Sequence, residues 1–173
     1  ISDGDFGPGW SLPSSNMRAA STGVIGKDWD QISQGGIIKT HTLISKTRKE
    51  VIIRFSDTEI ERFEVAISPA TSKVIPYEDL KPIVIFEPLP GTTGKLQSLG
   101  QQFYVDGSLY HTYPHDICDP KHFVYTHRNG SVYKFGPQGL TSYTDVNGNT
   151  TTYANDGIHH SSGISISFER GKG

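Results

Sequence analysis

A fixed period in the last part of the chain constrains the fold more than any other feature. Gly130-Ser-Val-Tyr133-Lys-Phe135 is followed by Gly139-Leu140, and eighteen residues further on Gly148-Asn-Thr-Thr-Thr-Tyr153 is followed by Gly157-Ile158. A clipped third copy, Gly163-Ile-Ser-Ile-Ser-Phe168, arrives after fifteen. A unit this short cannot bury its own apolar face, so it has to stack on a neighbour. Asn129-Gly130 between two alternating runs marks a hairpin, and Asp145-Val-Asn147-Gly148-Asn149 marks the next turn. Each unit therefore reads as two strands and two turns. The oxygens of Asp145, Asn147 and Asn149 resemble part of a calcium loop. They are too few, with no closing Glu at the required distance, and turn chemistry accounts for the same residues. In the third copy Ile164, Ile166 and Phe168 alternate with Ser165, Ser167 and Glu169. That pattern predicts one apolar face built for a neighbour.

The rest of the chain also reads as β-structure. Helix formers never assemble into an amphipathic stripe, whereas Gly, Thr, Ser and aromatics abound: 19 Gly, 8 Tyr and 8 Phe. Glu50–Phe55 and Arg62–Ile67 are rich in β-branched and aromatic residues around the turn Ser56–Glu59, which predicts a hairpin closed off at Pro69. Residues 38–44 alternate as a strand of the same meander. Ile83–Phe86, set among Pro76, Pro82, Pro88 and Pro90, predicts a short or edge strand. Asp106-Gly107 between the runs 101–105 and 108–110 predicts a type I′ hairpin turn. The expected fold class is all-β, with antiparallel hairpins, a meander and few or no helices. Its expected organisation is a divergent β-rich region, 1–126, that packs against repeats over 127–173.

Two groups of residues carry chemical suggestions. His111, His115, Cys118 and His122 are four side chains of the types that zinc prefers. Against that reading, Pro114 and Pro120 preclude a helix that would align them, and no Cys-x-x-Cys anchors the site. The competing reading is a histidine-bearing loop around a small core cysteine. His159-His160 adds little, because adjacent residues of a strand face opposite ways. The second group is aromatic: Trp10, within the Gly- and Pro-rich opening 4–13; Trp29, flanked by Asp28 and Asp30; and Tyr110. Exposed, these could stack on a glycan or another protein; anchored in a core, they are structural.

Charge excludes some partners. The formal net charge is −2 and no basic block stands out, so nucleic acid is not expected. Lys46-Thr-Arg48-Lys49, the densest basic cluster, reads as a solvated turn between two strands. No run approaches the ~18 apolar residues of a spanning helix. The chain opens on Ile1, which we read as the start of a fragment or processed piece. No Gly-x-Ser-x-Gly, phosphate-binding loop or His-Glu-x-x-His motif occurs, so no reaction and no required cofactor are assigned.

Over about twenty residues, Tyr133-Lys-Phe-Gly-x-x-Gly139-Leu140-Thr-x-x-Thr-Asp145-x-Asn147-Gly148-Asn149-Thr-x-Thr-Tyr153 resembles an Rhs/YD repeat. Gly157 to Arg170 is similar to a following copy, and Phe6-Gly-Pro-Gly-Trp10 to the Gly-x-Gly-Trp entry of such arrays. The resemblance implies a segment of a spiralling β-shell in a large secreted or cell-surface protein. Such a shell encloses a polypeptide, often a toxin, or presents an adhesion surface, and its enzymatic payload lies outside the repeats. The expected partners are then the rest of the chain's own array, an enclosed toxin, or a cell-surface protein or glycan.

Overall fold

The computed structural model describes residues 16–69, 71–72 and 81–167. Phe6, Trp10 and Phe168, with the opening segment and the end of the third copy, lie outside them. Among the described residues the chain is all-β, every pairing is antiparallel, and no helix is long and apolar enough to cross a membrane.

Sixteen strands are described. β1 (Arg18–Ser21), β4 (Glu50–Arg54), β5 (Ile60–Ser68) and β7 (Ile83–Pro88) form a four-stranded sheet in the order β1-β4-β5-β7. The expected hairpin is β4–β5, with Glu50 opposite Glu64 and Arg54 opposite Ile60. β5 stops one residue before Pro69, and proline-flanked β7 is an edge strand as its prolines require. β2 (Trp29–Gln34), β3 (Thr40–Ser45) and β6 (Thr71–Ser72) make a second sheet. On β3 the buried face is His41 and Leu43, while Ile44 is exposed; Ile37 and Ile38 precede the strand and are also exposed. β9 (Gln102–Val105) and β10 (Ser108–His111) pair through the two-residue turn Asp106-Gly107. Both turn residues have positive φ, 39° and 86°, as a type I′ turn demands.

The repeats lie in the largest sheet. β8 (Lys95–Gln97), β11 (Phe123–Thr126), β12 (Val132–Gly136), β13 (Gly139–Thr144), β14 (Thr150–Ala154), β15 (Gly157–His160) and β16 (Ser165–Ser167) run in the order β16-β15-β14-β13-β12-β11-β8. From β11 onward this is a meander, and β8 and β11 extend it upstream of residue 127.

The repeated sequence gives a repeated turn. Gly130, Gly148 and Gly163 donate their N–H to the carbonyls of His127, Asp145 and His160 at 2.9, 3.1 and 3.0 Å. The N–H groups of those same three residues donate to Ser131, Asn149 and Ile164 at 2.8, 2.9 and 2.9 Å. The glycines sit at φ 94°, 86° and 89°. This is the three-residue hairpin loop, a type I turn closed by a left-handed residue, formed three times. Asp145 tightens the middle copy, its Oδ1 accepting from the N–H of Asn147 (2.9 Å) and Asn149 (3.0 Å). Those bonds hold its carboxyl below the ordinary range, the bond from Asn149 first among them. The clipped third copy has a local cause: β15 has four residues where β13 has six, and β13 carries a bulge opposite Lys134/Phe135.

One core joins the sheets. It runs from Ile25 and Trp29 through Val51, Ile53, Phe63, Val65 and Phe86 to Phe123, Tyr125, Phe135 and Leu140. Phe55, just past the end of β4, packs edge-on against Tyr125, Tyr133 and Phe135 with ring centroids 5.0, 5.2 and 6.4 Å apart. The aromatics of β11 and β12 are thus the surface on which the four-stranded sheet sits.

Candidate functional site

The histidine–cysteine segment follows β10. Cys118 is completely buried, and its backbone is locked into the core. Its N–H donates to the Leu109 carbonyl (2.9 Å), its carbonyl accepts from Gly26 (2.6 Å), and Leu109 N–H donates to Gly26 (2.7 Å). Burial, then the charges of Asp119 and Asp116, push the thiol up to about 12. His111 is half-buried at the end of β10; His115 is exposed, its ring 6.0 Å edge-on from Phe103. His122 is exposed beside Gly136. The fold does not bring the four together: among the described residues no group of three or more His, Cys, Asp or Glu is placed to hold a metal ion. Cys118 occupies the core position that the competing reading gave it.

The aromatic candidates separate. Trp29 is 2% exposed, so it cannot act as an exposed stacking surface. Its indole Nε1–H donates to the Ile25 carbonyl at 2.8 Å, satisfying the one polar atom that burial would strand. Asp28 and Asp30, which suggested a surface site, are exposed on either side of it. Tyr110 is half-exposed and stacks on Phe103, its partner across the β9–β10 pair, at 5.7 Å and 25°. Tyr113 stands nearby at 90% exposure. Trp10 lies outside the described residues.

The repeat residues come together in one sheet. Tyr125, Tyr133 and Tyr143 are register partners on successive strands, with centroids 5.8 and 4.8 Å apart. Phe135 and Leu140 are buried, and Tyr153 is partly buried against the same core. Burial raises the phenols of Tyr133 and Tyr153, with Tyr143 contributing next in each case. Among the described residues, exposure rises at the β16 end of the sheet, where Ile164 and Ile166 are 69% and 47% exposed. Beside them His159 Nδ1 lies 3.1 Å from Ser165 Oγ, and its Nε2 lies 3.4 Å from Asp156 Oδ1. This has the residue types of a hydrolytic triad, but it sits in water and not in the low-dielectric setting that makes such groups effective.

Two buried polar groups were not evident from sequence. Lys49, the last residue of the basic turn, is 4% exposed, while Lys46, Thr47 and Arg48 are solvated as expected. His41 is buried with its Nδ1 within 2.9 Å of Gln31 Nε2 and 2.7 Å of Ser33 Oγ.

Among the described residues the fold is an antiparallel β-meander whose repeated hairpins run out to the exposed Ile164 and Ile166. Comparison of the chain with protein-family models, curated proteins and solved structures finds no match.

Proposed function

We propose that the chain is a non-catalytic structural module of a secreted or cell-surface protein of the Rhs/YD-repeat kind, forming part of a β-shell that encloses or presents another polypeptide. The observation that carries this reading is the identical loop at Gly130, Gly148 and Gly163, set in one sheet that runs out to the exposed Ile164 and Ile166. A stacked array needs identical turns to keep its strands in phase, and it needs an edge that accepts the next strand. On this reading the partners are the rest of the array and the polypeptide it surrounds.

The isolated chain is expected to associate with rising concentration, read by light scattering after size exclusion. Replacing both Ile164 and Ile166 with Lys should restore a monomer while changing stability by no more than about 0.5 kcal/mol, as for other surface positions. A chain that stays monomeric at all concentrations, with slowly exchanging β16 amides, counts against the array.

A second reading, an adhesion module for a glycan or protein surface, is favoured by the Phe103–Tyr110 stack and by the exposed Tyr113 three residues further along the chain. A glycan array without a hit that Tyr110→Ala abolishes removes it.

A further inference from the structure

Where the β2–β3–β6 sheet meets β5, a cavity of about 340 Å³ opens between Trp29, Leu43, Ser45, Lys49, Val65 and Ile67. Its size is within the range of small-molecule sites. Its wall is a little more apolar than polar, and one of its polar groups is unusual. The Lys49 ammonium lies 5.1 Å above the Trp29 ring and donates to Ser45 Oγ at 2.9 Å. Ser45 Oγ donates in turn to the Thr47 carbonyl. Among the described residues no carboxylate lies within ion-pair distance of Lys49, and the charge of Asp28 acts on it only through space. A lysine head carries three donors, and here one is used by a neutral hydroxyl. Buried cations are normally paired, because leaving one unpaired is costly.

We infer that this cavity binds a small monocarboxylate with an apolar body, the carboxylate accepting the free donors of Lys49 and the body lying along Leu43, Val65 and Ile67. The ring face and hydroxyl hold the ammonium in place before any ligand arrives, which lowers the cost of ordering it. The rim sets the charge that is tolerated. Glu64 and Glu87, opposite each other on β5 and β7, line the cavity, and Arg48 offsets only part of their charge, at 3.8 Å from Glu64. A single negative charge can be taken up by Lys49, whereas a multiply charged anion such as phosphate is repelled by the two carboxylates. The apolar lining selects a body of aryl or alkyl type over a sugar. This site is independent of the array reading, since none of its residues belongs to the repeats.

The probe is 3-phenylpropionate, with 3-phenylpropanol and inorganic phosphate as comparisons, added to the unmutated chain. The readout is the indole N–H resonance of Trp29, distinguished from that of Trp10 in a W10F chain. The acid should shift it saturably, and Lys49→Met should weaken that binding by at least tenfold, about the effect of one charge-assisted hydrogen bond. The alcohol and phosphate should each bind at least tenfold more weakly than the acid. The inference is overturned by equal binding of acid and alcohol, by equal binding of phosphate, by a K49M chain that binds as before, or by no saturable shift up to about 10 mM acid. Should K49M fail to fold, the comparison of acid with alcohol on the unmutated chain decides the matter.

Discussion

At the scale of single residues, burial determines what each chemically suggestive side chain can do. Cys118 is the clearest case. The thiol is raised from 9.0 to about 12, chiefly because the thiolate would have to exist inside the core. Three pH units lower the thiolate fraction near neutrality by roughly a thousandfold, and exclusion of reagent adds to this. A disulfide reagent at pH 8 should therefore leave Cys118 unmodified in the folded chain and react at once after denaturation. The same shift has a signed effect on stability. A group whose folded value is raised contributes stability that is complete below its unfolded value, here 9.0, and lost as pH rises towards about 12. Cys118→Ala should accordingly remove part of the alkaline decline in stability over that window. Equilibrium denaturation of both chains at pH 8 and pH 11 measures it, and equal declines would show that the thiol does not titrate as stated.

At the scale of elements, two glycines of one repeat have different jobs and should fail differently. Gly148 sits at φ 86° with open space where a Cβ would be. Gly148→Ala then costs only the left-handed backbone strain, about 1–2 kcal/mol. At Gly157 a Cβ would run into the Ile166 carbonyl on the neighbouring strand. Backbone cannot move aside as a side chain can, so Gly157→Ala should release β16 from β15. Hydrogen exchange distinguishes the two: the Gly157→Ala chain loses amide protection in β16 alone, while the Gly148→Ala chain keeps its pattern with a lower global stability. The same elements show what a sequence discloses and what it hides. β4–β5, β9–β10 and β11–β12 are joined by short turns, so both strands and the signal between them lie in one window of the chain. Nothing local marks β1 against β4, or β8 against β11, where partners come from distant segments. Asp28-Trp29-Asp30 leaves open whether the ring faces outward or into the core until β2 pairs with β3 and turns Trp29 inward over Lys49. The cavity at Lys49 is equally illegible, because its walls come from β2, β3, β5 and β7, and burial of one lysine is a tertiary event. Cys118 and the histidines looked like a ligand set because spacing alone does not say which side chains face the core.

At the scale of the whole molecule, the repeat sheet and the four-stranded sheet are joined by one buried polar contact among many apolar ones. Tyr125, completely buried on β11, donates its hydroxyl to Glu61 Oε1 on β5 at 2.5 Å. Glu61 also accepts from the N–H of Thr93 (2.9 Å) and Gly94 (3.2 Å), so a carboxylate only 8% exposed is satisfied from three sides. The phenol is held above its ordinary range, by burial first and by the bond to Glu61 next. Tyr125→Phe keeps the ring against Phe55, Phe63 and Tyr133 and removes only the hydroxyl. The loss should be that of a hydrogen bond to a charged group, about 1.5–3 kcal/mol. For a chain of this size that corresponds to a melting temperature lower by about 3–12 °C. The form of the transition matters as much as its position. Because the core passes without a break from Val51 and Phe63 to Tyr125 and Phe135, neither sheet keeps a covered face without the other. The Tyr125→Phe chain should therefore still unfold in one step, with circular dichroism and aromatic fluorescence moving together. A transition that splits, leaving the repeat sheet folded after the four-stranded sheet has melted, would mean that the repeats stand alone and that the upstream strands merely rest on them.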